Sequence, residues 1–351
     1  MSIEDNRCLP IDLPMAFIMA KGRSGTTLLQ TMLDAHPNTV APLESRFAIH
    51  YYQKYGKIKK WNKSTKLNFI EDVQKERKIE LIWELDVQLM TARILNLPES
   101  STYGLVCKQV YASVKSIFQK EQQQVIIDKN PIHGILIPLI YKIFPDAKII
   151  HLVRDYRASA NSTKELQIGK SMKNIGYHWL LSNSQIEMYK VNFFKESYTV
   201  TYESLLTDPT EELSKLCEFL NIPYNSVMID YYKVTEKGIQ DYIARSPNEF
   251  IKDIRSKGSA LIHKNISRPI DVSLINKWQK NLSSEQIKAL ESICGEYGKK
   301  YGYKMIYESD GTSPKLSFAT KFKGRKLNLY YRLPIWLREL KSKPKLVFLE
   351  E

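Results

Sequence analysis

Cysteine is scarce in this chain, and long apolar runs are missing. Four cysteines lie far apart among the 351 residues without a Cys-x-x-Cys pair, which argues against a zinc site or a disulfide framework. No apolar run reaches the roughly 18 residues that a membrane-spanning helix needs. The N-terminal residues lack the basic and apolar segments of a secretory signal. We therefore expect a soluble or peripheral protein of the cytosol.

Acidic residues are few relative to basic ones. Lys and Arg number 52 against 38 Asp and Glu, which gives a net charge of +14. Residues 312–351 hold ten basic and three acidic residues, half of that excess, interleaved with aromatic side chains. This balance indicates attraction to phosphate-rich ligands, and for 312–351 it indicates contact with an anionic membrane surface. A solvated or core-covering terminal helix is the alternative for this segment.

Short apolar runs alternate with helical periodicity along most of the chain. Residues 15–20 predict a strand, followed by a helix over 26–35 that ends at His36 because Pro37 follows. This alternation predicts an α/β fold, a P-loop-like doubly wound parallel sheet flanked by helices. The further predicted strands are 125–127, 147–153 and 198–201, and the further helices are 132–143, a helix from Ala158, 209–220, 272–280 and 284–297.

The predicted domain boundaries follow composition. We assign residues 1–311 to a single α/β domain and 312–351 to a basic aromatic C-terminal extension. Within the domain, residues 45–100 predict a helical insertion. Residues 230–270 carry Gly, Ser and Lys in an irregular pattern, so we expect a mobile loop that covers the acceptor side of the site.

The stretch Lys21-Gly22-Arg23-Ser24-Gly25-Thr26-Thr27 connects the first predicted strand to the first helix. Glycines let the backbone approach an anion, a helix N-terminus offers free N–H groups, and hydroxyl groups add donors. A Walker A motif is excluded, because it needs four residues between its glycines and a lysine after the second. The stretch therefore predicts an anion-binding loop, with an ordinary βα turn as the alternative.

Three sequence blocks resemble the sulfotransferases that use 3′-phosphoadenosine 5′-phosphosulfate (PAPS). Arg23-Ser24-Gly25-Thr26-Thr27 resembles their 5′-phosphosulfate loop, and residues 154–162, with Arg154 first and Ser162 last, resemble their 3′-phosphate motif. Tyr202-Glu203-Ser204-Leu205-Leu206 matches a third block. The resemblance covers roughly residues 14–306 and is strongest to the tyrosylprotein and carbohydrate branch, through Glu44 and the block Asp128-Lys129-Asn130-Pro131 among others.

This resemblance implies a sulfotransferase fold, PAPS as co-substrate and no metal. Two anion sites suit a donor with phosphates at both ends of an adenosine. Arg23 and Lys129 would stabilise the transferring group and the leaving phosphate. Asn276 stands where the branch has serine. The residues implied to bind the donor are Arg23, Ser24, Gly25, Thr26, Thr27, Arg154, Ser162, Tyr202, Asn276, Lys277 and Trp278.

An acceptor hydroxyl needs a group that takes its proton. The resemblance favours Glu44 as this base. His36 is the rival, although its place at a helix end before a proline favours capping. His151 reads as strand core, and His133 and His263 stay undecided.

For Arg154 and Lys129 there are also alternatives in which the residue has no role in the site. Arg154 could form a surface ion pair with Asp155. Lys129 could be a solvated loop lysine, since most lysines are exposed.

The basic aromatic extension makes a lipophilic alcohol, such as a sterol or a lipid, the expected acceptor. A carbohydrate or a tyrosyl peptide is the alternative acceptor. A nucleotide kinase and a non-catalytic protein that binds PAPS or its product are the alternative functions. Nucleic acid is not an expected partner, and the sequence leaves the oligomeric state open.

Overall fold

A five-stranded parallel sheet lies at the centre of the computed structural model, which describes residues 11–130, 133–165, 171–263 and 266–307. The strand order is β2-β3-β1-β4-β5, and every pair of neighbouring strands is parallel. The predicted doubly wound α/β fold is therefore confirmed. The strands are β1 Met15–Ala20, β2 Thr39–Val40, β3 Val125–Lys129, β4 Lys148–Val153 and β5 Ser197–Thr201.

Helices cover both faces of the sheet, because parallel neighbours need long crossover connections. The α-helices in the described residues are α1 Thr26–Ala35, α2 Phe47–His50, α3 Tyr52–Tyr55, α4 Lys63–Gln74, α5 Arg77–Ile82, α6 Val87–Leu95, α7 Tyr103–Tyr111, α8 His133–Ile143, α9 Tyr156–Glu165, α10 Met172–Phe193, α11 Tyr202–Thr207, α12 Pro209–Leu220, α13 Tyr231–Ala244, α14 Glu249–His263, α15 Lys277–Asn281 and α16 Ser284–Gly298. Short 3₁₀ helices are found at Ser226–Met228, Val272–Leu274 and Lys299–Tyr301.

The central strand β1 is buried along its whole length. Phe17 and Met19 pack into the core on one face of the sheet, and Ile18 and Ala20 pack into the core on the other. Successive side chains of a strand point to opposite faces, and a parallel sheet covered on both sides buries both sets. The continuous apolar run in the sequence is the signature of this environment.

Local signals located several helix ends correctly. Helix α1 ends at His36, whose extended backbone conformation satisfies the requirement of the following proline. Helix α12 begins after Asp208, whose carboxylate accepts the Glu211 N–H at 3.2 Å, with Pro209 in the first turn. It ends at Asn221 in the left-handed conformation. These caps involve residues close in sequence, so they are readable without the fold.

Residues 45–100 contain α2 to α6, which agrees with the predicted helical content. These helices contribute to the core through an aromatic cluster in which Trp61 contacts Phe69 and Tyr103 at ring-centroid distances of 5.6 and 6.4 Å. Trp61 is fully buried. The segment therefore packs as a wall of the domain rather than as a detached lid.

The predicted irregular loop over 230–270 is wrong, because this stretch forms α13 and α14. Tyr231, Thr235, Ile239 and Tyr242 lie on the buried face of α13 at helical spacing. On α14 a buried position is taken by Arg255, whose guanidinium donates to the carbonyls of residues 81, 83 and 242. A charged residue on the buried face hides the apolar periodicity that would otherwise reveal a helix.

Two helix boundaries also differ from the prediction. The helix predicted over 272–280 is divided at Asn276 into the 3₁₀ helix Val272–Leu274 and α15. Helix α9 begins at Tyr156 instead of Ala158, because the Asp155 carboxylate accepts the Arg157 N–H at 2.8 Å and caps the first turn.

Residues 312–351 lie outside the described residues, so the division of the chain at residue 311 stays a prediction. Within the described ranges, no helix combines the length and the apolar character needed to cross a membrane.

Candidate active site

The site follows from the strand order, because the carboxyl ends of parallel strands meet at one edge of the sheet. Lys129 is the last residue of β3, and the predicted anion loop follows β1. Arg154 follows β4, and Tyr202 follows β5. Glu44 comes four residues after β2. Since neighbouring strands lie about 4.8 Å apart, β3 and β4 are about 10 Å apart, a span that one nucleotide can bridge.

The anion loop has the backbone geometry of a phosphate cradle. Arg23 and Gly25 have positive φ angles of 72° and 90°. Gly25 is the N-cap residue of α1 and has no side chain that could accept a hydrogen bond. The first N–H groups of the helix therefore have no side-chain cap and can bind an anion. A Cβ at Gly25 would collide with the Tyr202 ring, whereas one at Gly22 would meet nothing within 4 Å. The loop therefore needs glycine at position 25 for two reasons.

The two predicted anion motifs contact each other. Arg23 Nε donates to Ser162 Oγ at 3.2 Å, and Arg154 Nη1 donates to the Arg23 carbonyl at 3.4 Å. Arg154 also donates to the Leu274 carbonyl at 3.4 Å, and its guanidinium lies 4.1 Å from the centre of the Tyr202 ring. Its Nε is buried and finds no partner in the described part of the chain. A cation held by long contacts to neutral groups retains capacity for an anion.

Asp155 does not pair with Arg154, so that alternative is wrong. Arg157, the second residue of α9, donates to both Asp155 oxygens and to Glu291 Oε1 at 2.9 Å. Burial of all three side chains explains this choice, because a buried carboxylate needs a cation beside it. The motif therefore contains one arginine for the site and one for the core.

The backbone around Arg154 is anchored on both sides. Trp179 Nε1 donates to the Arg154 carbonyl at 2.8 Å. Glu203 Oε1 accepts the Asp155 N–H at 3.0 Å, and its other oxygen accepts the Tyr303 hydroxyl at 2.8 Å. Sequence reasoning named Tyr202 and missed Glu203, although both belong to the same quoted block.

A buried ion pair lies at the other end of the edge. Lys129, only 4% exposed, donates to Glu44 Oε1. Lys78 Nζ lies 3.9 Å from Glu44 Oε2. Burial by itself raises the pKa of Glu44, but the charges of Lys129, Lys78 and Arg46 outweigh it and lower the pKa below its ordinary value. Glu44 is therefore ionised at neutral pH, and Lys129 is not a solvated loop lysine.

The sequence block around Lys129 contains two further polar residues that were not assigned. Asp128 is buried and accepts a hydrogen bond from the Tyr111 hydroxyl. Burial, above all, raises its pKa to about 7. Asn130 is fully buried, and its Nδ2 donates to the Ser45 carbonyl at 3.1 Å. This bond ties the end of β3 to the residue after Glu44, so it helps to hold Lys129 and Glu44 together.

Asn276, Lys277 and Trp278 are dispersed. Trp278 lies in a core and packs on the guanidinium of Arg157 at 4.3 Å, away from solvent. Lys277 is half-exposed and pairs with Glu165 at 2.8 Å. Asn276 is exposed at the start of α15. The contact with Arg154 in this stretch comes from the carbonyl of Leu274, which precedes the group.

The remaining residues of the loop differ in burial. Ser24 and Thr26 are buried, whereas Thr27 is partly exposed. The Thr27 carbonyl accepts the Thr31 hydroxyl at 2.8 Å within α1.

His36 is fully buried and uses both ring nitrogens. Nδ1 accepts the Asn38 N–H at 3.1 Å, and Nε2 donates to the Pro223 carbonyl at 2.7 Å. Burial lowers its pKa, so the ring is neutral. Its one lone pair, on Nδ1, already accepts the Asn38 N–H and is not available to the proton of a substrate hydroxyl. His151 is buried in β4 between Glu187 and Asn183, as expected for a core residue. The His133 and His263 side chains lie outside the described residues.

Among the residues that the structure describes, no group of His, Cys, Asp or Glu could hold a metal ion. Fold and site together are typical of α/β proteins that bind an anionic ligand at the carboxyl edge of a parallel sheet.

Comparison with known proteins gives the family. The sequence model of the Sulfotransferase family matches residues 14–226, and the chain belongs to that family. It is 24% identical to the protein-tyrosine sulfotransferase of Drosophila melanogaster over 81% of this chain, and 25% identical to protein-tyrosine sulfotransferase 1 of Danio rerio over 76%. The chain spans 50% of the fly protein and 66% of the zebrafish protein.

A solved structure shows the same fold. The sulfotransferase domain of the Synechococcus olefin synthase superposes with a TM-score of 0.50 at 21% identity, covering 84% of this chain and 96% of that domain. The predicted family and fold are both confirmed.

Proposed function

We propose that the chain transfers a sulfuryl group from PAPS to an acceptor hydroxyl. The observation that carries this proposal is the arrangement of the anion loop, Arg154 and Lys129 on three adjacent strands at one edge of the sheet. Membership of the Sulfotransferase family supports it. A nucleotide kinase would need the Walker lysine, which this loop lacks.

The residues at this edge fit a donor with two separate anionic groups. The loop amides at the start of α1, with Ser24 and Thr26, would bind the 5′-phosphosulfate. Arg154 and Ser162 would bind the 3′-phosphate, and the neutral partners of the Arg154 guanidinium fit that assignment. Thr27, Tyr202, Asn276, Lys277 and Trp278 stay predicted donor residues. Tyr202 is supported by its packing on both Arg154 and Gly25.

PAPS supplies the sulfuryl group, and its departing product is adenosine 3′,5′-bisphosphate. In the proposed role, Glu44 takes the proton of the acceptor hydroxyl, while Lys129 and Arg23 neutralise charge that develops on the transferring group and the leaving phosphate. A carboxylate with a lowered pKa is a weak base but is fully ionised. Its fixed contact with Lys129 holds the two groups in position before the acceptor binds.

For the acceptor, we propose a tyrosyl side chain of a protein or peptide. Several relatives are named protein-tyrosine sulfotransferases, which favours this acceptor over the lipophilic alcohol that the sequence analysis put first. That first choice depended on residues 312–351, outside the described residues. Lys129, Lys78 and Arg46 lie close enough to Glu44 to lower its pKa, and these cations suit an acceptor with acidic neighbours. A cytosolic location stays a prediction.

The test is a transfer assay with labelled PAPS and four acceptors: a tyrosyl peptide with acidic neighbours, the same peptide with neutral neighbours, a sterol and a sugar. The proposal predicts labelling of the tyrosyl peptides, with the acidic peptide preferred. Replacing Tyr by Phe in the peptide is the matched control. Labelling of the sterol or sugar alone would overturn the tyrosyl assignment, and no labelling with any acceptor would overturn the transferase.

A further inference from the structure

The two cap residues of helix α5 hold the chain on both sides of Glu44. Trp83, the C-cap, donates from Nε1 to the Leu43 carbonyl at 2.7 Å. Glu76, the N-cap, accepts the Ser45 hydroxyl on Oε2 at 3.1 Å. Leu43 and Ser45 are the chain neighbours of Glu44. The backbone at Glu44 is therefore fixed to α5 from two sides.

Helix α5 is itself anchored at both ends. At its start, Glu76 Oε2 accepts the Ile79 N–H at 2.9 Å and caps the first turn. At its end, the Arg255 guanidinium donates to the carbonyls of Leu81 and Trp83 at 3.3 and 3.2 Å. A helix of six residues is not stable by itself, so these contacts fix the side chains that α5 presents to its neighbours.

Lys78 is the cation that α5 places beside Glu44. Its Nζ lies 3.9 Å from Glu44 Oε2, and its side chain is only 17% exposed. This distance is too long for a hydrogen bond but short enough for an ion pair. Lys129, at the end of β3, donates to the other carboxylate oxygen, Oε1. The carboxylate thus lies between two lysines that come from different elements.

The two oxygens of Glu44 differ in what they can still accept. Lys129 occupies Oε1, whereas no hydrogen bond from the described residues reaches Oε2. The Glu44 side chain is 20% exposed, and Oε2 is not one of the unpaired polar atoms sealed in the interior. A general base must lie within hydrogen-bond reach of the proton that it takes. Oε2 therefore suits the proton of an acceptor hydroxyl better than Oε1 does.

We propose that Lys78 is a positioning residue that holds the Glu44 carboxylate with Oε2 turned to the acceptor, and that Oε2 takes the acceptor proton. This inference rests on the proposed sulfotransferase function. The acceptor O–H proton moves to Oε2 while the acceptor oxygen bonds to sulfur. The bond from sulfur to the phosphate oxygen breaks, and its electron pair stays on the leaving phosphate. Glu44 becomes a neutral acid, and Lys129 keeps its contact with Oε1.

Four charged or titratable groups interact with the Glu44 carboxylate. Lys129 and Asp128 belong to β3, Lys78 belongs to α5, and Arg46 belongs to the same segment as Glu44. Burial raises the pKa of Glu44, but the three cations lower it overall. Burial also lowers the pKa of Lys78, and the charge of Glu44 opposes that shift. Loss of the Lys78 cation should therefore raise the pKa of Glu44.

The first experiment measures the Glu44 carboxyl in the full chain, without donor or acceptor. Carbon-13 NMR of glutamate-labelled protein follows the carboxyl signals through a pH titration, and loss of one signal in Glu44→Gln identifies Glu44. We expect Lys78→Met to raise its titration midpoint by about 0.5 pH unit or more, and Lys78→Arg to leave it within about 0.2 pH unit. Lys75→Met, at an exposed lysine paired with Glu71, is the matched control and should not move it. An unmoved midpoint in Lys78→Met would overturn the proposal.

The second experiment measures kcat against pH with PAPS and a tyrosyl peptide. A base works only when ionised, so Lys78→Met should move the acid limb of the profile to higher pH by as much as the NMR midpoint. It should also lower kcat at its plateau about tenfold and leave the affinity for adenosine 3′,5′-bisphosphate within about threefold. Lys78→Arg should recover most of kcat, because it keeps the cation.

The two experiments separate the possible failures. A purely structural role for Lys78 would lower kcat by the same factor at every pH, and an unmoved limb would overturn the proposal. A wild-type chain that transfers no sulfuryl group would overturn the proposed function, even where the NMR midpoint still responds to Lys78. If Lys78→Met fails to fold by circular dichroism, Lys78→Gln, which keeps a polar end without the charge, takes its place in both experiments.

Discussion

The cations at the two ends of the carboxyl edge have different kinds of partner within the protein. At β4, Arg154 is held by two backbone carbonyls and the face of Tyr202, all of them neutral. At β3, Lys129 is held by the carboxylate of Glu44. The end of a strand positions each cation. Of the two, only Lys129 has a contact within the protein that balances its charge.

In the proposed mechanism, this difference follows from what each end binds. A cation that receives a phosphate dianion loses affinity if a carboxylate already neutralises it, so neutral partners orient Arg154 without competing. Lys129 is almost fully buried, and an isolated charge there would be costly. Glu44 offsets this cost and, in the proposed mechanism, remains available to the acceptor proton.

The largest effect is expected from a substitution of Glu44. We expect Glu44→Gln to lower kcat about 100- to 10,000-fold, because glutamine keeps the shape of the side chain but takes no proton. Donor affinity should change by less than about threefold, since Glu44 follows β2 and Arg154 follows β4, three strands away in the sheet. Steady-state kinetics and titration with adenosine 3′,5′-bisphosphate measure the two quantities. Glu71→Gln, at an exposed carboxylate paired with Lys75, is the control and should change neither. A matching fall in donor affinity would assign Glu44 to donor binding.

The next test compares Arg154 with Arg157, the two arginines that lie before and after Asp155 in the sequence. Arg154→Ala should weaken donor binding about 10- to 100-fold, since it removes charge-assisted hydrogen bonds, and should leave the fold intact. Arg157→Ala should instead lower the free energy of unfolding by about 3–5 kcal/mol, because Asp155 and Glu291 stay buried without their cation. Urea unfolding and donor titration separate the two effects. Equal loss of stability in both variants would contradict the division of roles.

Substitutions of the two glycines in the anion loop should have a smaller effect. Gly25→Ala should cost about 1–3 kcal/mol of unfolding free energy, because its φ of 90° is unfavourable for alanine and the new Cβ displaces the Tyr202 ring. Donor affinity should fall as well, since that ring supports Arg154. Gly22→Ala, with open space around its Cβ, is the control and should stay within about 0.5 kcal/mol. A similar cost for both variants would show that the ring packing is unimportant.

The smallest expected effect is a pH dependence of the free energy of unfolding that comes from Asp128, the residue before Lys129. Burial raises the pKa of Asp128 to about 7 from an ordinary 3.8, so the folded state holds a proton that the unfolded state has lost between these pH values. Stability from this group is therefore full below about pH 4, falls as the pH rises to about 7, and is constant above. Asp128→Asn should remove a slope of about 1.4 kcal/mol per pH unit between these pH values and keep an acceptor for Tyr111. Urea unfolding at pH 5 and pH 8 measures it, and an unchanged slope would contradict the assignment.

Much of the fold could be predicted because its signals are local. The apolar run of β1, the proline after His36 and the capping set Asp208, Pro209 and Glu211 each lie within a few neighbouring residues. Helix α13 was missed although Tyr231, Ile239 and Tyr242 are buried at helical spacing. Helix α14 was missed because Arg255 replaces an apolar residue on its buried face. Its suitability there depends on carbonyls of residues 81 and 83, which are more than 170 positions away in sequence.

The candidate site was predictable in its members but not in its contacts. Arg23, Arg154, Lys129 and Glu44 could all be named, since each belongs to a recognisable block at a strand end. That Asp155 pairs with Arg157 and not Arg154 depends on Glu291 and the packing of α16. Glu203 and Lys78 were missed for the same reason, since their partners come from distant elements.

The amino-acid sequence by itself determined four of the five strands, the loop after β1 and the cations at the strand ends, because backbone preferences and periodicity act over short distances. Only the tertiary structure decided which cation is neutralised by a carboxylate and which is supported by neutral groups. That choice depends on strand order and burial, and both arise from contacts between residues far apart in the chain.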